Sequence, residues 1–311
     1  MLYEFIISNS YVDILNIRCV NMGNLEKEYK YCQKIIKNYS KVFSNAFENL
    51  SAQKRNALWS VYALYYCVDE SVKIHKDIEL LNKIKQDIQQ IYNGETKKFY
   101  SNTKIMRALS HTIHLYGLPK LPIELFIKTI EDDFIFSAND TNQQLDNYCY
   151  GSSGVVGELV NPIFTQEQSE STKVAEAEAL SIELGKVMQL TKVLRNVGKD
   201  YRNGKIYLSN ETLDYYNVDL DTIYYNGVTP NYAHLWESYA NLIERKFMYI
   251  LGRLYLFDDD IQPIIVLTIK TYQGLLEEVR NNLYDITKHA NLSSYKKSKI
   301  YRKVMEAYDS Q

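Results

Sequence analysis

The chain has 311 residues, 46% of them apolar and 24% charged, with a formal net charge of −2 and a pI near 6.3. That is enough apolar material to bury a sizeable core, which excludes an intrinsically disordered chain, and the balanced charge offers no bulk attraction for nucleic acid. Cys19, Cys32, Cys67 and Cys149 form no metal-ligand spacing, and the longest apolar stretch, Pro263 to Ile269, falls far short of the ~18 residues of a membrane span, so a cytoplasmic protein with free thiols is expected.

Residues 1–24 read as an N-terminal extension without the basic start or small-residue cleavage site of a signal peptide. Met22 offers a second translation start, in which case the first 21 residues are not native. From residue 25 to 311 the pattern is helical. Leu25 to Phe47 carries Tyr31, Ile35, Ile36, Tyr39, Phe43 and Phe47 on one stripe, and Ser51 is placed to cap a second helix in which Ala57, Leu58, Val61, Leu64, Tyr65 and Val68 recur. Further helices are predicted over Glu79–Tyr92, Lys104–Tyr116, Pro122–Phe136, Asn142–Leu159 and a long run from Ser169 to Tyr201. Three more follow over Tyr232–Leu256, Gln262–Leu283 and Ser293–Tyr308, with Asp259, Asp260 and Pro263 reading as a helix start. Strand-type alternation is almost absent, no stretch has a linker's composition, and there is no internal repeat. One all-α domain is predicted.

Five segments in fixed order carry a resemblance. They are Lys30–Phe47 with Gln53–Ser71, then Asn147–Phe164, then Val187–Ser209, and finally Ala233–Glu244 and Pro263–Ile286. The first holds a Ser-Lys-x-Phe pattern (Ser40, Lys41, Phe43) ahead of a helix ending at Asp69, the second reads Tyr148 followed by SGVVG, and the third ends in Lys199-Asp200. This arrangement resembles the squalene/phytoene synthase family, nearest the bacterial dehydrosqualene (diapophytoene) synthases, over residues 30 to about 300. The resemblance implies a single-domain isoprenoid-synthase bundle around a central hydrophobic cavity. It also implies that two farnesyl diphosphates are joined head to head through presqualene diphosphate, with Mg²⁺ drawing off diphosphate. Carboxylates at i and i+4 share a helix face, which suits metal shared with substrate phosphates.

Carried over residue by residue, Asp69, Asp200, Tyr148 and Tyr207 are the expected catalytic positions, with Asp69 and Asp200 as metal ligands. Ser40, Lys41, Phe43, Gln189, Arg195 and Tyr272 are the expected substrate contacts. Against the family pattern, Lys73 stands where an aspartate is expected four residues after Asp69, and Glu70 is a conservative change. Lys192, Asn196 and Lys199 stand at a family asparagine, aspartate and glutamate ahead of Asp200. Those seven positions carry three negative and three positive charges, where the family pattern carries six negatives. Protonated lysine has no lone pair for Mg²⁺. Three readings stay open: a synthase with fewer metals; Lys73, Lys192, Lys199 and Arg195 cradling a prenyl diphosphate in place of metal; or drift toward a non-catalytic relative that works beside an active paralogue or a downstream desaturase. No nicotinamide fingerprint appears. The basic run Lys296, Lys297, Lys299 reads as a solvated face or a peripheral membrane contact.

Overall fold

The computed structural model describes residues 25–73 and 77–309, so the N-terminal extension and Cys19 lie outside the described residues, as do the side chains of Tyr39 and Lys73. The stripe from Leu25 to Phe47 is not one helix. It breaks at Ser40 into α1 (Glu26–Tyr39) and α2 (Lys41–Phe47), because Ser40 turns extended (φ −152°, ψ 97°). Its hydroxyl then accepts the Phe43 N–H at 3.4 Å, so Ser40 caps α2. Ser51 caps α3 (Ala52–Lys73) as expected, accepting the Lys54 N–H at 3.4 Å.

Asp77 and Asn102 cap α4 (Ile78–Tyr92) and α5 (Thr103–Tyr116) in the same way, and α6 (Lys120–Asp132) follows. The predicted helix to Phe136 stops four residues early, which frees Phe134–Phe136 from helical constraint. α7 (Asn142–Cys149) opens with a Thr141/Gln144 capping box, runs through a π-turn at Tyr150–Gly154, and continues as α8 (Val155–Phe164), five residues past the predicted end.

At 32 residues, or about 48 Å at 1.5 Å per residue, α9 (Ser171–Arg202) is the axis of the bundle. It packs on α7, the π-turn and α8, and on α12 (Pro230–Leu251) and α13 (Gln262–Asn281). The approach of α8 to α9 needs two glycines. A β-carbon on Gly157 would lie 2.0 Å from the Ser181 carbonyl oxygen, and one on Gly185 would lie 2.2 Å from that of Ser153. Helix α14 (Ser294–Asp309) covers α13 and α2.

Two short helices, α10 (Asn210–Tyr215) and α11 (Leu220–Asn226), have no counterpart in the sequence reading, being too short to show periodicity. The same holds for a parallel pair of strands, β1 (Ala138–Asn139) and β2 (Ile206–Ser209), which pins the segment after α6 to the segment after α9. The helix expected to end at Leu256 stops at Leu251, before a 3₁₀ turn at Leu254–Leu256.

Asp259 and Asp260 do not cap α13; Ile261 holds that position without a side-chain bond. Asp260 instead accepts from Lys54 at 2.7 Å. The Lys54 side chain is 2% exposed and also meets Asp258 at 2.9 Å and Glu167 at 3.2 Å, tying α3 to the loops before α9 and α13. Burial works against this ammonium, but the bonds to Asp260, Asp258 and Glu167 outweigh it and the net shift of its pKa is upward.

Candidate functional site

A cavity of about 810 Å³ lies inside the bundle, toward the large end for ligand pockets. One face of α9 runs its length: Ser181, Leu184, Met188, Gln189, Lys192, Asn196, Lys199, Asp200 and Asn203 all line it at helical spacing. The chemistry changes along that stripe. Near Ser181 and Leu184 the partners come from α8 and α13, including Val160, Phe164, Ile264 and Ile265, while the C-terminal half of the stripe is polar. α3 contributes Tyr62, Tyr65, Tyr66 and Asp69, four residues that share one helix face.

The formally charged residues lining the cavity are Asp69, Asp133 and Asp200 against Lys192, Lys199 and Lys205, so their charges cancel. Asp133, which is 3% exposed, accepts from Lys205 Nζ at 3.0 Å and from the Tyr207 hydroxyl at 2.5 Å. Burial, and then the Asp133 carboxylate, hold the Tyr207 phenol above its usual range. Tyr207 stacks on Tyr148 (centroids 4.6 Å) and on Phe136 (4.8 Å). Tyr148 in turn meets Gln189 Nε2 at 3.3 Å, and Gln189 Oε1 accepts from Ser153 at 3.2 Å and Lys192 at 3.3 Å. A polar chain thus runs from Asp133 to Lys192 across four structural segments.

Lys192 is the informative group. Burial works against its charge, but the oxygens of Tyr272 and Tyr65 and the Asp69 carboxylate oppose that, and the net direction is upward. Lys192 is half-buried at the cavity wall, so its ammonium is less screened than one in open water. Arg195, one turn on, is pushed down by burial but stays charged, and its Nε donates to Asn196 at 3.0 Å. His289 is held below its ordinary value by burial and by Arg195, Lys199 and Arg202.

Of the residues singled out in the sequence, Asp69, Tyr148, Tyr207, Asp200, Phe43, Gln189, Tyr272, Lys192 and Lys199 all line this cavity. Arg195 sits behind Asn196, Ser40 is spent on the α2 cap, and Lys41 is exposed; none of the three lines it. Lys205 and the Tyr62/Tyr65/Tyr66 face were not singled out. The tyrosines had a usable signal in their i, i+3, i+4 spacing ahead of Asp69; Lys205 had none, because its partner Asp133 is 72 residues away.

The residues at the cavity do not fit a cluster of several magnesium ions. Asp133 is committed to Lys205 and Tyr207, and the remaining two aspartates, Asp69 and Asp200, share the cavity lining with Lys192 and Lys199. Among the described residues, the carboxylates close enough to share a cation are Glu167, Asp258 and Asp260. None of them lines the cavity, and Lys54 already sits among them.

Comparison with known proteins gives a consistent picture. The family model described as squalene/phytoene synthase matches residues 36–298. A 4,4'-diapophytoene synthase from Staphylococcus haemolyticus is 38% identical over 288 residues, covering 92% of this chain and 99% of that protein. A phytoene synthase from Thermus thermophilus is 26% identical over 295 residues, covering 92% and 95%. The crystal structure of a dehydrosqualene synthase in complex with ligand superposes with a TM-score of 0.82 at 26% identity, covering 92% of this chain and 98% of that one.

Proposed function

This chain belongs to the squalene/phytoene synthase family, and from that we propose that its cavity binds farnesyl diphosphate with lysine where the family uses metal. The prenyl tail lies along the apolar half of the α9 stripe, and the diphosphate meets Lys192 and Lys199, with Arg195 adding charge from behind Asn196. The observation that carries this reading is the half-buried Lys192, which bonds Gln189 through Nζ at 3.3 Å and lines a cavity whose lining charges sum to zero. Such a site attracts a trianionic headgroup without first recruiting divalent cations.

The same balance weakens metal-assisted loss of diphosphate. Head-to-head joining of two farnesyl diphosphates through presqualene diphosphate to dehydrosqualene is therefore proposed to be slow or absent. A binding role beside an active paralogue, or hand-over to a downstream desaturase, is the alternative the neutral site favours. The polar chain from Asp133 to Gln189 fixes Tyr148 and Tyr207 rigidly beside the ligand, and Tyr207 stays a neutral donor. The chain is proposed to work in the cytoplasm, meeting membrane peripherally.

Calorimetric titration with the thio-analogue of farnesyl diphosphate tests this, with Mg²⁺ and with EDTA. Binding is expected under both conditions, competed by pyrophosphate. Lys192→Gln should weaken it by about 10- to 100-fold, the value of a charge-assisted hydrogen bond in a dry site. Binding that vanishes in EDTA, or dehydrosqualene formed rapidly with Mg²⁺, would overturn the reading.

A further inference from the structure

We infer that the end of the bundle around the cavity opening docks on an anionic phospholipid bilayer. The inference rests on the prenyl-ligand reading above only for its purpose, not for its surface. Three cavity-lining residues are also exposed: Phe134, Lys199 and Asn203. The opening therefore lies between the segment after α6 and the last turn of α9. Ile135, next to Phe134, is 84% exposed, the highest value among the large apolar residues of the described chain. Its segment is not a loose tether, because Asp133 is bonded to Lys205 and β1 pairs with β2.

A second apolar residue is presented at the same helix end. Leu283 is 75% exposed and adopts a left-handed backbone (φ 56°), a conformation a bulky side chain rarely takes. Its loop abuts the end of α9: a β-carbon on Gly198 would fall 1.9 Å from the Ile286 carbonyl oxygen, and His289 feels the charges of Lys199 and Arg202. Two loops near one helix terminus thus hold apolar side chains out into water.

Charge at this end complements an anionic surface. Asp132, Asp133 and Asp285 on the two segments are each paired with a lysine. Lys199 and Arg202 are exposed and have no ion-pair partner among the described residues. Apolar side chains flanked by unpaired cations suit the boundary between acyl chains and anionic headgroups. A prenyl ligand would then pass between bilayer and cavity without crossing water. The basic run on α14 is a poorer candidate, since Lys296 is already paired with Glu278 and that helix covers α13 and α2.

Co-flotation with vesicles tests the surface. The wild-type chain is expected to float with equimolar phosphatidylglycerol and phosphatidylcholine, and much less with phosphatidylcholine alone. The double variant Ile135→Glu with Leu283→Gly should lose about tenfold or more in partitioning, in line with removing two inserted apolar side chains. Glycine suits the left-handed backbone at 283, so the variant keeps its fold, and thio-analogue affinity in vesicle-free buffer should not change. Wild-type chain that ignores anionic vesicles, or a double variant that floats undiminished, would overturn the docking surface. So would loss of flotation on neutralising Lys296, Lys297 and Lys299 but not in the double variant. Flotation that persists in a chain with no affinity for the thio-analogue would sink the ligand reading and leave the surface standing.

Discussion

Replacing Lys54 with methionine keeps the volume and removes the one cation from a cluster of three carboxylates. Breaking a buried ion pair by deleting one partner costs about 3–5 kcal/mol, because the other charge stays stranded. Here Glu167 (70% exposed) and Asp260 (31% exposed) can turn toward water, which leaves Asp258, with a side chain 0% exposed, as the stranded group. Asp258 keeps bonds from the Glu167 N–H at 3.1 and 3.2 Å, so the loss belongs at the low end, about 3 kcal/mol. That corresponds to roughly 6–12 °C in Tm for a domain of this size. Burial already holds the Asp258 carboxyl above its usual range, with Lys54 opposing. A carboxyl whose folded pKa exceeds its unfolded value contributes stability in acid and loses it as pH rises through the folded value. Removing Lys54 raises the folded value further, so the deficit of Lys54→Met should be largest at pH 7 and smaller near pH 5. Urea unfolding of both proteins at the two pH values measures this. A loss below about 1 kcal/mol, the range of exposed pairs, or a loss equal at both pH values, would refute the stranded-carboxylate account. The variant should also gain Tm with Ca²⁺ or Mg²⁺, which the wild-type ammonium forestalls.

Gly157→Ala places a β-carbon 2.0 Å from the Ser181 carbonyl oxygen, so α8 and α9 must separate. The expected cost is about 1–3 kcal/mol, read as a drop in Tm, together with weaker thio-analogue binding because both helices line the cavity. His289 is held low by burial and three cations, and a bound diphosphate offsets those cations and lifts it. Binding therefore takes up protons, and affinity should tighten as pH falls from neutral toward 6. Calorimetry in buffers of different ionisation enthalpy reads that uptake, and His289→Asn should flatten it.

Much of the candidate site was readable because helices write their faces into sequence. Gln189, Lys192, Lys199 and Asp200 follow the α9 period, so their shared face needed no coordinates. Asp69 and Tyr272 followed from motif order. Ser40 was expected as a ligand contact, and the fold gives its hydroxyl a second use as the α2 cap, which follows from the extended backbone at Ser40 and not from residue type.

The sequence by itself determined the helical class, the stripe on α9 and the presence of lysines on that stripe, since each is a property of neighbours a few residues apart. Only the tertiary structure decided which charges meet. Lys54 finds acids 113, 204 and 206 positions away, and Asp133 finds Lys205 across 72. Coulomb energy depends on distance and on exclusion of water, and neither exists until the helices have packed. The same is true of Lys192: its type and period were legible, but its place on the cavity wall beside Gln189 and Tyr65 of α3 is a product of packing.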